Sequence, residues 1–312
     1  MKAVQRIWDR AGMALVFVVL FIGVSLAVPD FLSWINMKGL ALSVATVGII
    51  SCTMMFCLAG GDFDLSVGSI VALAGVVAVT VINQSANVPL GIVAGIAAGG
   101  VVGLVNGVVI ARMGINALIA TLASMQVVRG LAFIVTNGKA VGVREEGFFA
   151  LGIGSVAGVP SPVWITVIAF IAFGLLLNKT IFGRNTLAIG GNREAAHLAG
   201  IRVARTKIII FILQGLMSGF AGVILASRMT SGQPNTAQGL ELQVISACVL
   251  GGVSLTGGVA TITGVIVGVL VMGTVQNVMN LLNIPPFYQY VASGTILWAA
   301  VTLDRISHRG EE

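Results

Sequence analysis

Charge is what this sequence has least of: Asp, Glu, Lys and Arg together make up 9% of its 312 residues. A soluble globular domain carries about a quarter of its residues charged, and a disordered chain buries too little apolar surface to look like this one, so both classes are excluded. Histidine and cysteine are scarcer still, at two and three residues. Cys52, Cys57 and Cys248 lie in apolar runs, without the loop-borne pairing of a disulfide framework or the CxxC spacing of a zinc site, and read as small buried residues. His197 and His308 have no carboxylate or Cys at ligand spacing, and no G-x-S-x-G, H-E-x-x-H or P-loop pattern occurs. The sequence therefore offers no catalytic residues, no metal or cofactor site and no nucleotide-binding loop of its own. Its 17 Lys and Arg residues give a net charge of +6 but are scattered between apolar segments, not gathered with aromatics on one face, which excludes nucleic acid as a partner.

What abounds is apolar sequence. Hydrophobic residues make up 57% of the chain, mean hydropathy is +1.04, and runs of membrane-spanning length recur. A hydrocarbon core about 30 Å thick takes about 20 helical residues, so this length holds on the order of ten spans with little left for loops. They are predicted at Gly12–Val28, Gly39–Ala59, Leu65–Asn83, Val88–Ala111, Ala117–Val135, Pro162–Asn178, Lys207–Ala226, Leu240–Leu250, Val259–Leu282 and Phe287–Leu303. The fold class is all-α, a polytopic membrane protein with a single transmembrane domain over residues 1–312.

With the N-terminus inside, the inner segments hold Lys2, Arg6, Arg10, Arg112, Lys179, Arg184, Arg193, Arg202, Arg205, Lys207, Arg305 and Arg309. The outer segments hold only Lys38, Lys139, Arg144 and Arg228, and Arg129 falls within a span. This asymmetry favours an even number of spans with both termini cytoplasmic. The first run, ending in Ser25-Leu26-Ala27, also admits a reading as a cleaved signal peptide, but it is long for an h-region and serves as a first span.

Gly91, Gly95, Gly99, Gly103 and Gly107 recur every four residues in the fourth span, a ridge that lets another helix approach backbone to backbone. A short echo links Cys57-Leu58-Ala59-Gly60-Gly61 with Cys248-Val249-Leu250-Gly251-Gly252. Each Gly-Gly is either a tight turn or a helix break within the membrane. Asp62 and Asp64, in GGDFDLSVG, have two readings: Asp64 or Ser66 caps the next helix, or the paired carboxylates hold a cation or carry protons. Arg129 must face a partner, water or the outer interface, in a structural role or in the translocation path. Asn106, Gln276, Asn277 and Asn280 either offer hydrogen bonds to an uncharged polar solute or knit helices together.

The central polar segment, about residues 179–206, holds a short helix. Asn192 can cap it, Arg193 and Glu194 open its first turn, and Gly200 is placed to end it. Around Ala196, the residues Ala195, Leu198 and Ala199 share one face. Two turns are too short to be stable alone in water, so the helix needs the membrane surface, the chain's own spans or a cytoplasmic partner to pack against.

Four stretches carry a family likeness: Gly60–Gly68 (GGDFDLSVG), Asn116–Arg129 (NALIATLASMQVVR), Gly183–Gly200 (GRNTLAIGGNREAAHLAG) and Ser246–Gly258 (SACVLGGVSLTGG). They resemble the membrane permease subunits of bacterial ABC importers for monosaccharides, the ribose, galactose, xylose and arabinose group, and the likeness covers nearly the whole chain. FCLAGGDFDLSVG, RTKIIIFILQGL, ILASRMTSGQP and NVMNLLNI are most similar to the arabinose members. The resemblance implies an inner-membrane permease that works as a homodimer with two ABC ATPase subunits and a periplasmic sugar-binding protein. It makes Asn192–Gly200 the coupling helix that docks on the ATPase. It also makes Thr136–Ser161, with Arg144, Glu145, Glu146, Phe148 and Phe149, a docking surface for the sugar receptor. From the residues alone, an ion-coupled secondary transporter stays open as an alternative, and an intramembrane enzyme is disfavoured by the missing catalytic constellation.

Overall fold

The computed structural model describes residues 2–308 and is mostly helical. Arg309 lies outside the described residues, as do the side chains of Lys2, Arg6, Arg10, Arg305 and His308. In chain order the helices are α1 (Lys2–Ala27), α2 (Trp34–Ala59), α3 (Val67–Ser85), α4 (Val88–Met113), α5 (Ala117–Thr136), α6 (Ser161–Lys179), α7 (Ile181–Gly191), α8 (Arg193–Leu198), α9 (Val203–Arg228), α10 (Leu240–Leu250), α11 (Ile262–Leu281) and α12 (Pro286–His308). Seven of them, α2 to α6, α9 and α11, are long and apolar enough to cross a membrane. The remaining predicted spans fall on α1, α10 and α12, of which α10 has only 11 residues. The sequence did not anticipate α7 as a separate helix.

The glycine ridge of α4 decides the centre of the bundle. Gly91 and Gly95 lie on the backbone of α3 at Ala78 and Ala74, while Gly99, Gly103 and Gly107 lie on the backbone of α9 at Gly215, Phe211 and Ile208. A methyl group at any of these positions would strike a carbonyl or a neighbouring side chain, so the three helices touch without side chains between them. The main core gathers around α2, whose second half, Ala45 to Ala59, is entirely buried.

One helix, α3, starts deep in the bundle. Val71, near the start of α3, lies against Gly222, and Gly60 lies beside Ile210. Since α3 and α9 run parallel, α3 begins about 12 Å further along α9 than the point where α2 ends. The non-helical residues between them climb through the bundle interior, with Asp64 and Ser66 fully buried. Irregular backbone is tolerated at that depth where protein encloses it. The open question about the Gly-Gly pairs thus has a split answer at Gly60-Gly61: the turn is at the helix end, and the residues after it form the interior break.

The sequence echo is a shared way of stopping a helix. After α2, Gly61 takes φ +78°, with Asp62 N–H on the Cys57 carbonyl and Gly61 N–H on that of Leu58. After α10, Gly252 takes φ +77°, with Val253 N–H on Cys248 and Gly252 N–H on Val249. Both are Schellman stops, which need a residue in the left-handed region.

Candidate functional site

The polar segments collect at the two ends of the bundle. At one end, α7 and α8 meet at Asn192, whose N–H closes α7 on the Ala188 carbonyl and whose side chain accepts the Ala195 N–H at 2.9 Å. The far end of α8 is a third Schellman stop, with Gly200 at φ +84° and Ile201 N–H on the Ala196 carbonyl at 3.0 Å. A six-residue helix is therefore fixed at both termini. Ala196 is the residue it buries, against Ile189, Ile201 and Val203. Arg193, Glu194, Ala195, Leu198 and Ala199 point outward, and Leu198 keeps 82% of its surface exposed. The face that the spacing picked out is thus the one the chain leaves uncovered. Beside it runs an open groove of about 1060 Å³, lined by Arg112, Arg193, Arg202 and Arg205 with Glu194 and His197.

This end is tied to the interior break. Gly190, at the end of α7, has no room for a side chain because the Ala59 carbonyl and Gly258 N–H, themselves hydrogen-bonded at 2.9 Å, lie directly on it. Asp62 is paired with Lys207 of α9, the Nζ standing 2.7 Å and 2.9 Å from the two carboxylate oxygens, with both side chains buried. It is the only ion pair among the described residues. Lys207, counted among the inner-segment charges and as the first residue of a span, is 6% exposed, with Asp62 as its partner. A polar cavity of about 440 Å³ adjoins the pair and reaches Asn116, Asn192, Arg193 and Thr256.

Further inside, the expected cap of α3 is absent. Asp64 accepts from the Ser66 N–H at 2.9 Å and from its hydroxyl, and that hydroxyl accepts from Asn106 of α4 at 3.0 Å. The carboxylate closes a turn two residues too early to cap the helix. Asn106 therefore joins α4 to the break. Asn277 and Asn36 exchange amide hydrogen bonds at 2.8 Å and 3.0 Å, joining α11 to α2, and Asn280 accepts from Gln289 of α12 at 2.7 Å. Gln276 lies half-buried on α11.

At the other end, strands β1 (Val141–Gly142) and β4 are too short to be more than a ribbon; numbering them in chain order, β2 (Ser155–Val156) pairs with β3 (Val159–Pro160), and β1 pairs antiparallel with β4 (Ser231–Gly232). Arg144 and Glu146 are exposed, Glu145 and Phe149 half-buried. Phe148 corrects the sequence expectation of a docking side chain. It is fully buried against Ala78, Val79, Ile82 and Val223, and its carbonyl accepts from Ser227 at 2.6 Å, so it anchors the loop and presents nothing to a partner. Arg129 Nη1 donates to the carbonyls of Pro234 and Thr236 at 2.8 Å and 2.7 Å. Sequence spacing had no means of finding these acceptors, because any residue type supplies a carbonyl.

The family described as "Branched-chain amino acid transport system / permease component" matches residues 36–301. The chain is 60% identical to the L-arabinose transport system permease protein AraH of Escherichia coli K12 over 98% of its own length and 93% of the relative's. It is 61% identical to the L-arabinose ABC transporter permease protein AraH of Azospirillum brasilense over 97% and 89% of the two chains. To the ribose import permease protein RbsC of Bacillus subtilis it is 42% identical over 96% and 94%. No solved structure matches. The likeness to monosaccharide-importer permeases holds along nearly the whole chain, and with seven apolar spans the protein is a multi-pass protein of the inner membrane. The chain belongs to the permease-component family of the branched-chain amino acid transport systems.

Proposed function

We propose that this chain is the membrane-spanning permease of an ATP-driven importer that carries L-arabinose from a periplasmic sugar-binding protein to the cytoplasm. Residues 1–312 act as one transmembrane domain of ten spans with both termini inside, and two copies work with two ABC ATPase subunits. The observation that carries the importer reading is α8: capped at both ends, seated by Ala196 alone, with Ala195, Leu198 and Ala199 facing outward beside a basic groove. Such a face suits a cleft in another protein, and it makes Asn192–Gly200 the coupling helix within the loop 179–206. ATP can shift the permease between outward and inward openings only by favouring one arrangement of the helices it touches.

In this reading Asp62, Asp64, Asn106 and Arg129 work as gating residues, each engaged with another segment of the chain. Gln276, Asn277 and Asn280 belong to the packing of α11. Arg144, Glu145, Glu146 and Phe149 form the receptor surface. Arabinose is preferred over ribose as the cargo because identity is 60% to the arabinose permeases and 42% to the ribose permease. Uptake of radiolabelled arabinose, ribose, galactose and xylose into vesicles holding the reconstituted complex tests the reading. ATP-dependent accumulation of arabinose above the other three is expected. Uptake driven by an ion gradient without ATP would overturn it.

A further inference from the structure

The residues between α9 and α10, Met229–Gly239, form a strap that runs back into the bundle. Gly232 lies on the backbone of α3 at Gly75 and Val76, and further along the strap the Ala237 carbonyl lies on Gly68. The strap therefore descends along α3 to its first turn, a drop of roughly 12 Å. The Glu241 carboxylate, at the start of α10, also rests on Gly68, where the N-terminal dipole of α3 favours an anion. Two non-helical segments thus converge on the same turn: the break ending in Ser66 reaches it from the inner end and the strap from the outer end.

The strap is seated on α3 at Gly232 and on the core at Ala237, but its backbone is bent against its preference. Thr230, Ala237 and Gly239 all take positive φ, at +50°, +57° and +77°, and two of them are not glycine. Its descending half offers carbonyls at Pro234 and Thr236, and both are taken by Arg129. The upper half is paired through β4 to β1, in the loop that carries Arg144 and Glu146.

We infer that Arg129 is the latch of an outer gate: it holds the strap closed over the N-terminus of α3, and a load on the β1–β4 ribbon releases it. Arg129 is a positioning residue, acting through the strap and not on the cargo. The importer reading enters only in the trigger, a receptor bound at the ribbon.

The test is thiol labelling of the full-length chain in membranes, which needs neither sugar nor ATPase and so stands or falls separately from the importer reading. Cys52, Cys57 and Cys248 are all buried, which keeps the background low. A cysteine introduced by Ala237→Cys reports the strap, and one introduced by Asn235→Cys, an exposed position, serves as control. With a membrane-impermeant maleimide, Arg129→Gln is expected to speed labelling at position 237 on the order of tenfold and leave position 235 unchanged. Arg129→Lys keeps the charge but loses the planar guanidinium, and its rate is expected to fall between the two; it carries the test if the Gln variant fails to accumulate. In the reconstituted complex, Arg129→Gln is also expected to raise ATP hydrolysis in the absence of receptor, an effect a merely structural arginine would not have. An unchanged rate at position 237 in both variants would overturn the latch.

Discussion

The two ends of the molecule are held by different kinds of bond. The inner end, in the proposed orientation, relies on one buried ion pair, Asp62 with Lys207, and on backbone seated against backbone at Gly190. At the outer end, side chains grip main chain: Arg129 holds two strap carbonyls, Asn83 bonds the Gly142 carbonyl and the Arg144 N–H, and Ser227 bonds Phe148 and Gly152. A buried ion pair fails all at once, because losing one partner leaves an uncompensated charge. Side-chain bonds to backbone fail one at a time, each at modest cost. An inner end built to move as a body and an outer end built to yield in steps fit the proposed ATP-driven motion below and the proposed receptor docking above.

The sharpest break of the inner end is at the exposed face of α8. Replacing Ala195 and Leu198 together by Glu is expected to leave the chain inserted but to abolish co-purification with the proposed ATPase partner. Next in size is the ion pair. Asp62→Asn or Lys207→Met alone is expected to cost about 3–5 kcal/mol, read as a lowered unfolding temperature in detergent. The double variant, which leaves no orphan charge, recovers most of the loss; a double variant as unstable as the singles would show that the two do not act as a pair.

At the outer end, Ser227→Ala removes the partner of Phe148 and Gly152 at a cost of about 1–3 kcal/mol. The effect should appear as faster hydrogen exchange in residues 137–160 without change in α7 and α8. The smallest effect is expected at Asn192→Ala, about 1 kcal/mol of helix capping, seen as weaker ATPase binding that Asn192→Ser restores.

Much of this was legible in the sequence, for reasons that differ by element. The glycines of α4 announced close helix contact because a spacing of four residues is itself the geometry of a helical face. Asn192 and Gly200 announced both ends of α8 because caps are local chemistry. The echo at Gly60 and Gly251 left a tight turn and a break within the membrane both open, and the structure gives the two copies the same helix stop. Hydropathy, in contrast, treated the residues after Gly61 as the edge of a span, since it measures polarity and not depth. The partners of Asp62 and Arg129 lie more than 100 residues away, and in one case are carbonyls that no side chain identity reveals. Phe148 read as a surface aromatic because it sits in a polar loop, where burial depends on what the loop folds against. Ala196 was hidden among similar small residues.

The first turn of α3 joins the two ends, so a nucleotide bound below should be felt by the strap above. The direct measurement is maleimide labelling of the Ala237→Cys chain in the complete complex, with ADP and with a non-hydrolysable ATP analogue. A nucleotide-dependent change in rate of at least about fivefold is expected, and it should vanish when Ala195 and Leu198 are replaced by Glu. Equal rates in the two nucleotide states, in a complex that still transports sugar, would contradict the account.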